Sequence, residues 1–418
     1  MYINLPSKNH YRRPASYASK GYHTRRMAVD FAVPLITNVK NAKMLAEALV
    51  QKLPLDVSTI DSKSSHITHT FPGLINVAAF VPEVAVKGSR DLVAATQASV
   101  CAGFTTAVVI PQGQNSGIVD GQSLEIAQAN LSSDAHCNVA LCVAASADNV
   151  QAFDDELKAG ARALFIPFRI NNLSIPMTAV AAHFASWPAE KPIVTDAKGS
   201  DLASLLLLAS LHNRSIHVTD VQTIDDMLLI SLSKAKNLKV TCDVSVYALF
   251  FTREQFPSST CLPTAEEQKS LWQNLDKIDA FSVGNLPYRL AVETGHSGSS
   301  QSGVEEALPL LLSAVTERRL TLEDIKLRLH DNPVQIFGLP DQTQTHVEVI
   351  VGRKAPYPNR AALWSPLSSG VKVTGAIHRV LFHGLTTFLD GSLSPTPLGR
   401  DISSATLIHA PSPSVSSR

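Results

Sequence analysis

Excess charge of either sign is missing: 36 Lys and Arg face 36 Asp and Glu, and charged residues make up only 17% of the 418. A neutral chain gives no electrostatic reason to bind nucleic acid or an anionic membrane, so neither is expected as a partner. Cysteine is sparse. The five residues Cys101, Cys137, Cys142, Cys242 and Cys261 are odd in number and form no C-x-x-C pair. That excludes a disulfide framework and a cysteine zinc site, and it suits a reducing compartment. No apolar h-region follows the opening MYINLPSKNHYRR, and runs such as Leu205–Ala209 are far too short to span a bilayer. The expectation is a soluble, cytoplasmic protein. His-x-His is also absent, although it is the simplest way for one strand to offer two metal ligands, because alternate residues share a face.

What is present is an alternation of short β-rich runs and longer amphipathic stretches. Strands are expected at GLINVAAF (73–80), TTAVVIP (105–111), NVALCVA (138–144), ALFIPF (163–168), PIVTD (192–196), SIHVTD (215–220), KVTCDV (239–244) and IDAFSV (278–283). Helices are expected at 88–102, 147–160, 200–211 and 223–236. Most of the strands are apolar on both faces, as parallel strands covered by helices must be. Eight of them with intervening helices point to an α/β fold, a (β/α)8 TIM-type barrel spanning 73–339, with an open doubly wound sheet as the fallback. Two further β-like stretches, HVEVIVG and VKVTGAIHRVLFHG, suggest a small accessory β-domain from 53–72 and 340–392. From 393 to 418 the chain is rich in Ser and Pro and reads as a linker.

FPGLINVAAFVPE (71–83) resembles the opening signature of dihydroorotases, PGLIDVHVHLRE, members of the amidohydrolase superfamily. The similarity continues through AGFTTAVVIPQ, KPIVTDAK, NRSIHVTDV, KNLKVTCDV, IDAFSVGNLPY, GVEEALPLLLSAV and NPVQIFGLP. It covers about residues 65 to 392 in order and spacing. The departures fall on the functional positions. The resemblance places Ala78 and Phe80 at the two first-strand histidines, Asn76 at the adjacent aspartate, and Pro82 at the arginine that grips the substrate carboxylate. Ala163, or less readily Arg162, stands for the bridging carbamylated lysine. Asp196 and Asp220 stand for two ligand histidines, and Tyr247 and Gln112 for a substrate-holding histidine and asparagine. Gly284, followed by Asn285 and Tyr288, stands for the catalytic aspartate.

A binuclear zinc site needs about four to five N or O ligands, a bridge and a base. Alanine, phenylalanine and glycine side chains supply none of these. Without metal, water keeps a pKa near ~15.7 instead of ~7, so no hydroxide nucleophile forms at neutral pH. No catalytic residue, no cofactor and no zinc are therefore expected. Asp196 and Asp220 are expected to pair with a nearby Lys or Arg, a lone divalent ion between them being the alternative, His217 to be a hydrogen-bonded core histidine pointing away from the ligand face, and Tyr247 and Tyr288 to serve packing. The pair His66 and His69 reads as solvated surface.

Residues 1–52 resemble the C-terminal end of the regulatory domain of eukaryotic carbamoyl-phosphate synthetase. Lys20, Thr24, Arg25 and Arg26 either meet nucleotide phosphates there or solvate a helix N-terminus, the latter being favoured. In animals and fungi that synthetase is fused ahead of a dihydroorotase or dihydroorotase-like barrel, a linker and aspartate transcarbamoylase; the fungal barrel is the inactive one. The resemblance therefore implies a pseudoenzyme scaffold in pyrimidine biosynthesis. It would link carbamoyl-phosphate synthetase and aspartate transcarbamoylase covalently, in a parent with those two activities, and form a homodimer through the barrel. The alternatives are a ligand-sensing regulatory barrel and an amidohydrolase of altered substrate.

Overall fold

The computed structural model describes residues 2–4, 20–50 except 32 and 34, 67–111, 117–131, 134–168, 175–299, 301–356, 365, 367 and 372–405. It divides into two compact units, Met1–Asp61 and Ser62–Arg418.

In the first unit, Tyr2–Ile3 pairs in parallel with Leu35–Ile36 beside helices Lys20–Asp30 and Val39–Val50. Ala28 is the one buried residue among those described, while Met27, Val29, Phe31 and Met44 stay exposed. The unit is too small to cover its own apolar side chains.

In the second unit, eight parallel strands follow one another in spatial as well as sequence order. They are β1 Leu74–Phe80, β2 Phe104–Ile110, β3 Asn138–Ala144, β4 Ala163–Ile166, β5 Ile193–Thr195, β6 Ile216–Val218, β7 Val240–Ser245 and β8 Ala280–Ser282. Each expected strand is found within a few residues of its expected place. The open-sheet fallback fails because β8 returns to β1. The Gly284 N–H donates to the Ala78 carbonyl at 3.0 Å, and the Val283 N–H donates to Asn76 Oδ1 at 3.1 Å. Closure thus rests on a side-chain amide as well as on main chain. Gly284 sits at φ +68°, a conformation open to glycine at no steric cost.

Two apolar layers follow from strand alternation. Ile75, Val108, Ile110, Ala140, Cys142, Phe165 and Val194 fill the barrel interior, while Leu74, Val109, Leu141, Leu164, Ile193, Ile216 and Val218 pack outward with the helix side chains. The expected helix at 147–160 is broken into a 3-10 turn, Val150–Ala152, and Asp155–Gly160. Asp154 causes the restart by accepting the Leu157 N–H at 2.8 Å as an N-cap.

Beside the barrel, Ile67–Pro72 pairs antiparallel with His346–Pro356, which pairs with Lys372–Phe382 and so on to Leu385–Leu389 and Ser392–Leu393. The Ser/Pro-rich stretch does not behave as a linker from 393. Up to Ala405 it packs on the barrel, with Ile402 and Ser403 buried. Composition misled here because main-chain and side-chain hydrogen bonds, with the single buried Ile402, hold a stretch poor in apolar residues.

Candidate functional site

The C-terminal ends of the strands form the mouth of the barrel, where an amidohydrolase would assemble its ligands. At the end of β1, Ala78 is buried at a register shift between Asn76 and Ala79, and its N–H donates to Asn76 Oδ1 at 3.4 Å. Asn76 therefore spends its amide oxygen on the β1–β8 seam. Phe80 lays its ring on Tyr288, with centroids 4.8 Å apart and planes at 57°. The small cleft they line with Asn76, Ala79, Val283 and Gly284 reaches out to Ala95 and Ser99 on the outer helix Asp91–Cys101, and its free volume is about 10 Å³, the room of about one water molecule. Pro82 lies half-buried in the turn after β1. Gln112 and His66 lie outside the described residues, and His69 packs edge-on to Phe71 with ring centroids 4.5 Å apart.

Ala163 is the first residue of β4, level with Cys142, and so lies at the N-terminal end of that strand and not at its mouth end. The inward residue nearer the mouth is Phe165, fully buried. Arg162 is also at the lower end, where its guanidinium donates to the carbonyls of Gly338 at 3.3 Å, Ile402, and Ala405 at 3.0 Å. The β4 expectation was placed one pleat too early.

Asp196 and Asp220 are both buried. Asp196 Oδ1 accepts the Phe168 N–H at 2.7 Å, and Asp220 Oδ1 accepts from Gln222 Nε2 at 2.8 Å. Lys198 Nζ reaches the Asp220 main-chain carbonyl and lies 3.7 Å from Asp226. Among the described residues, no group of three or more His, Cys, Asp or Glu side chains could hold a metal ion. Two carboxylates already engaged by N–H donors, beside Ala78, Phe80 and Gly284, do not fit a binuclear zinc centre.

His217 is a hydrogen-bonded core histidine, but it faces the barrel interior and not away from it. Ile216 and Val218 pack outward, and the strand ends before Asp220, whose φ of +55° breaks the alternation. The partner was missed from the sequence. Asp243 on β7, fully buried, receives His217 Nε2 at 3.0 Å, the Asp220 N–H at 3.2 Å and the Ser282 hydroxyl. Thr241 Oγ1 lies 2.9 Å from His217 Nδ1. An aspartate in the apolar run KVTCDV was the available signal, since an unpaired carboxylate is almost never buried there.

Tyr247 is fully buried, and its hydroxyl donates to Glu306. Burial pushes the Glu306 carboxyl up to about 7. In the first unit, Arg25 Nη1 donates to Asn4 Oδ1 at 2.9 Å, Arg26 pairs with Asp30 at 3.0 Å, and the Thr24 hydroxyl donates to the Lys20 carbonyl.

No family model matches the chain. It is 50% identical over 420 residues to the multifunctional protein pyrABCN of Emericella nidulans, an alignment that covers 99% of this chain and 18% of that protein. The chain therefore spans less than a fifth of that relative's length. Among solved structures it is similar to the inactive dihydroorotase-like domain of a CAD-like multifunctional protein of Chaetomium thermophilum. Identity there is 45% and the TM-score 0.77, covering 81% of this chain and all of that one. L-Hydantoinase from Arthrobacter aurescens matches at 16% identity and a TM-score of 0.70, over 80% of this chain and 88% of that one, which is a likeness of fold.

Proposed function

The chain belongs to the family of inactive dihydroorotase-like domains of CAD-like multifunctional proteins, and from that premise we propose that it is a non-catalytic scaffold of de novo pyrimidine biosynthesis. The observation that carries the reading is the mouth. Ala78, Phe80 and Gly284 present no ligand, and the Phe80 ring packs against Tyr288 at the end of β1. In this reading the domain holds no zinc, works in the cytoplasm, and joins carbamoyl-phosphate synthetase to aspartate transcarbamoylase in one polypeptide. Residues 1–52 are the end of the synthetase's regulatory domain. The exposed Met27, Val29, Phe31 and Met44 support this, since a larger domain would cover them.

The scaffold acts as a homodimer. Two adjacent helices, Gly199–Leu211 and Ile224–Ala235, expose Leu207, Leu211, Ile224, Leu228 and Leu232, with Leu211 at 72% and Leu207 at 61%. The i, i+4 spacing puts them in one stripe per helix, and a two-fold axis lets the same stripe cover itself. A metal-free barrel is tested by thermal unfolding in zinc and in chelator. The same midpoint is expected in both, and a zinc-dependent rise overturns the reading, because a ligand of the native state stabilises it by mass action.

A further inference from the structure

β4 begins opposite Cys142, so the edge of β3 below that point has no neighbouring strand on the β4 side. Residues from Gly399 onward fill the gap. The Gly399 N–H donates to the Ala135 carbonyl at 2.8 Å, the Val139 N–H to the Arg400 carbonyl at 2.9 Å, and the Ile402 N–H to the Val139 carbonyl at 2.8 Å. Val139 and Asp401 form a parallel bridge. Side chains complete the seat. Ser403 Oγ accepts the Leu141 N–H at 2.7 Å, and Asp401 Oδ2 accepts from Gln128 Nε2 at 2.9 Å. Ile402 enters the interior layer beside Cys142 and Phe337, and the buried Arg162 guanidinium takes the Ile402 and Ala405 carbonyls.

We propose that the lower end of the barrel is a peptide-binding groove of the strand-addition kind, whose ligand is the chain's own Gly399–Ala405 segment bound in cis. Main-chain hydrogen bonds supply the affinity and alternate side chains the selectivity, as in other strand-addition sites. The ligand grammar is Gly-x-Asp-Ile-Ser. Glycine is required at the first place because a Cβ on Gly399 would stand 2.0 Å from the Cys137 carbonyl oxygen, a backbone atom that cannot move aside. Isoleucine fills the hole in the interior layer, and Asp401 holds the Ser403 hydroxyl and N–H so that Ser403 can serve Leu141. The docked segment reaches Ala405 at the end of the barrel opposite the mouth.

The test uses the full chain carrying Gly399→Val and hydrogen exchange read over 135–144 and 399–405. Both stretches should exchange at least about tenfold faster than in the parent, while Ile67–Pro72 and His346–Pro356 keep their protection. An acetylated peptide of residues 396–407 added in trans should restore protection at 135–144 saturably, and the same peptide with Gly399→Val should not. Unchanged exchange in the variant, no rescue, or equal rescue by both peptides overturns the proposal. If Gly399→Val does not fold, Ser403→Ala in the full chain is read at the Leu141 amide. Exchange about tenfold faster supports the groove, and parental exchange there overturns it.

Discussion

Asp243 shows what a fully buried carboxylate needs: three donors, from His217, the Asp220 main chain and Ser282, inside a largely apolar barrel. Removing it leaves all three unsatisfied, so Asp243→Ala should cost about 3 kcal/mol in urea unfolding. His217 was legible as a core histidine; Asp243 was not, because its strand reads as apolar until its register is known. Glu306 gives a pH dependence. Its carboxyl is raised by burial to about 7 from the ordinary 4.5, so the folded state binds the proton more tightly than the unfolded chain. Stability from this group is full below about pH 4.5 and is lost as pH rises through about 7. Glu306→Gln should flatten that fall in a series of unfolding midpoints taken between pH 5 and 8, and a slope as steep as the parent's would contradict the assignment.

The helix-to-strand turns at the lower end repeat one device. Lys191 Nζ donates to the carbonyls of Lys158, Ala159 and Ala161 at the end of helix Asp155–Gly160, and Arg214 donates to those of Phe184, Trp187 and Pro188 at the end of Met177–Ser186. Each cation satisfies terminal carbonyls that a helix leaves orphaned and meets the negative end of its dipole. Arg214→Met keeps the stem and removes the donors, so it should lower stability by about 2 kcal/mol in the same urea titration. Strands were legible to within a few residues because an apolar run is visible without knowledge of its neighbours. The β4 ligand position was not, since Ala163 and Phe165 share a face and only the register with Cys142 and Ala144 shows which lies nearer the mouth. Nor was the seat of Gly399–Ala405, whose partners lie on another strand far back in the sequence.

For the second unit as a whole, the chain enters the barrel at Leu74, the lower end of β1, and the described chain last touches it through Ile402 and Ala405, also at the lower end. The proposed homodimer rests on the exposed leucines of the two outer helices. Sedimentation should give a dimer for the full chain, and Leu207→Glu with Leu228→Glu should give a monomer of unchanged fold, whereas a monomeric parent would contradict the paired scaffold. The barrel itself was legible from eight spaced strands. Its closure through Asn76, Ala78 and Gly284 was not, because those positions read only as losses of ligands, and their hydrogen bonds across the seam are invisible in one dimension. The most direct test of the central claim is to measure zinc content and turnover on one preparation of the full chain grown with zinc. The account predicts zinc well below one ion per chain and no conversion of dihydroorotate or carbamoyl aspartate above the buffer rate. Stoichiometric zinc accompanied by turnover would contradict it.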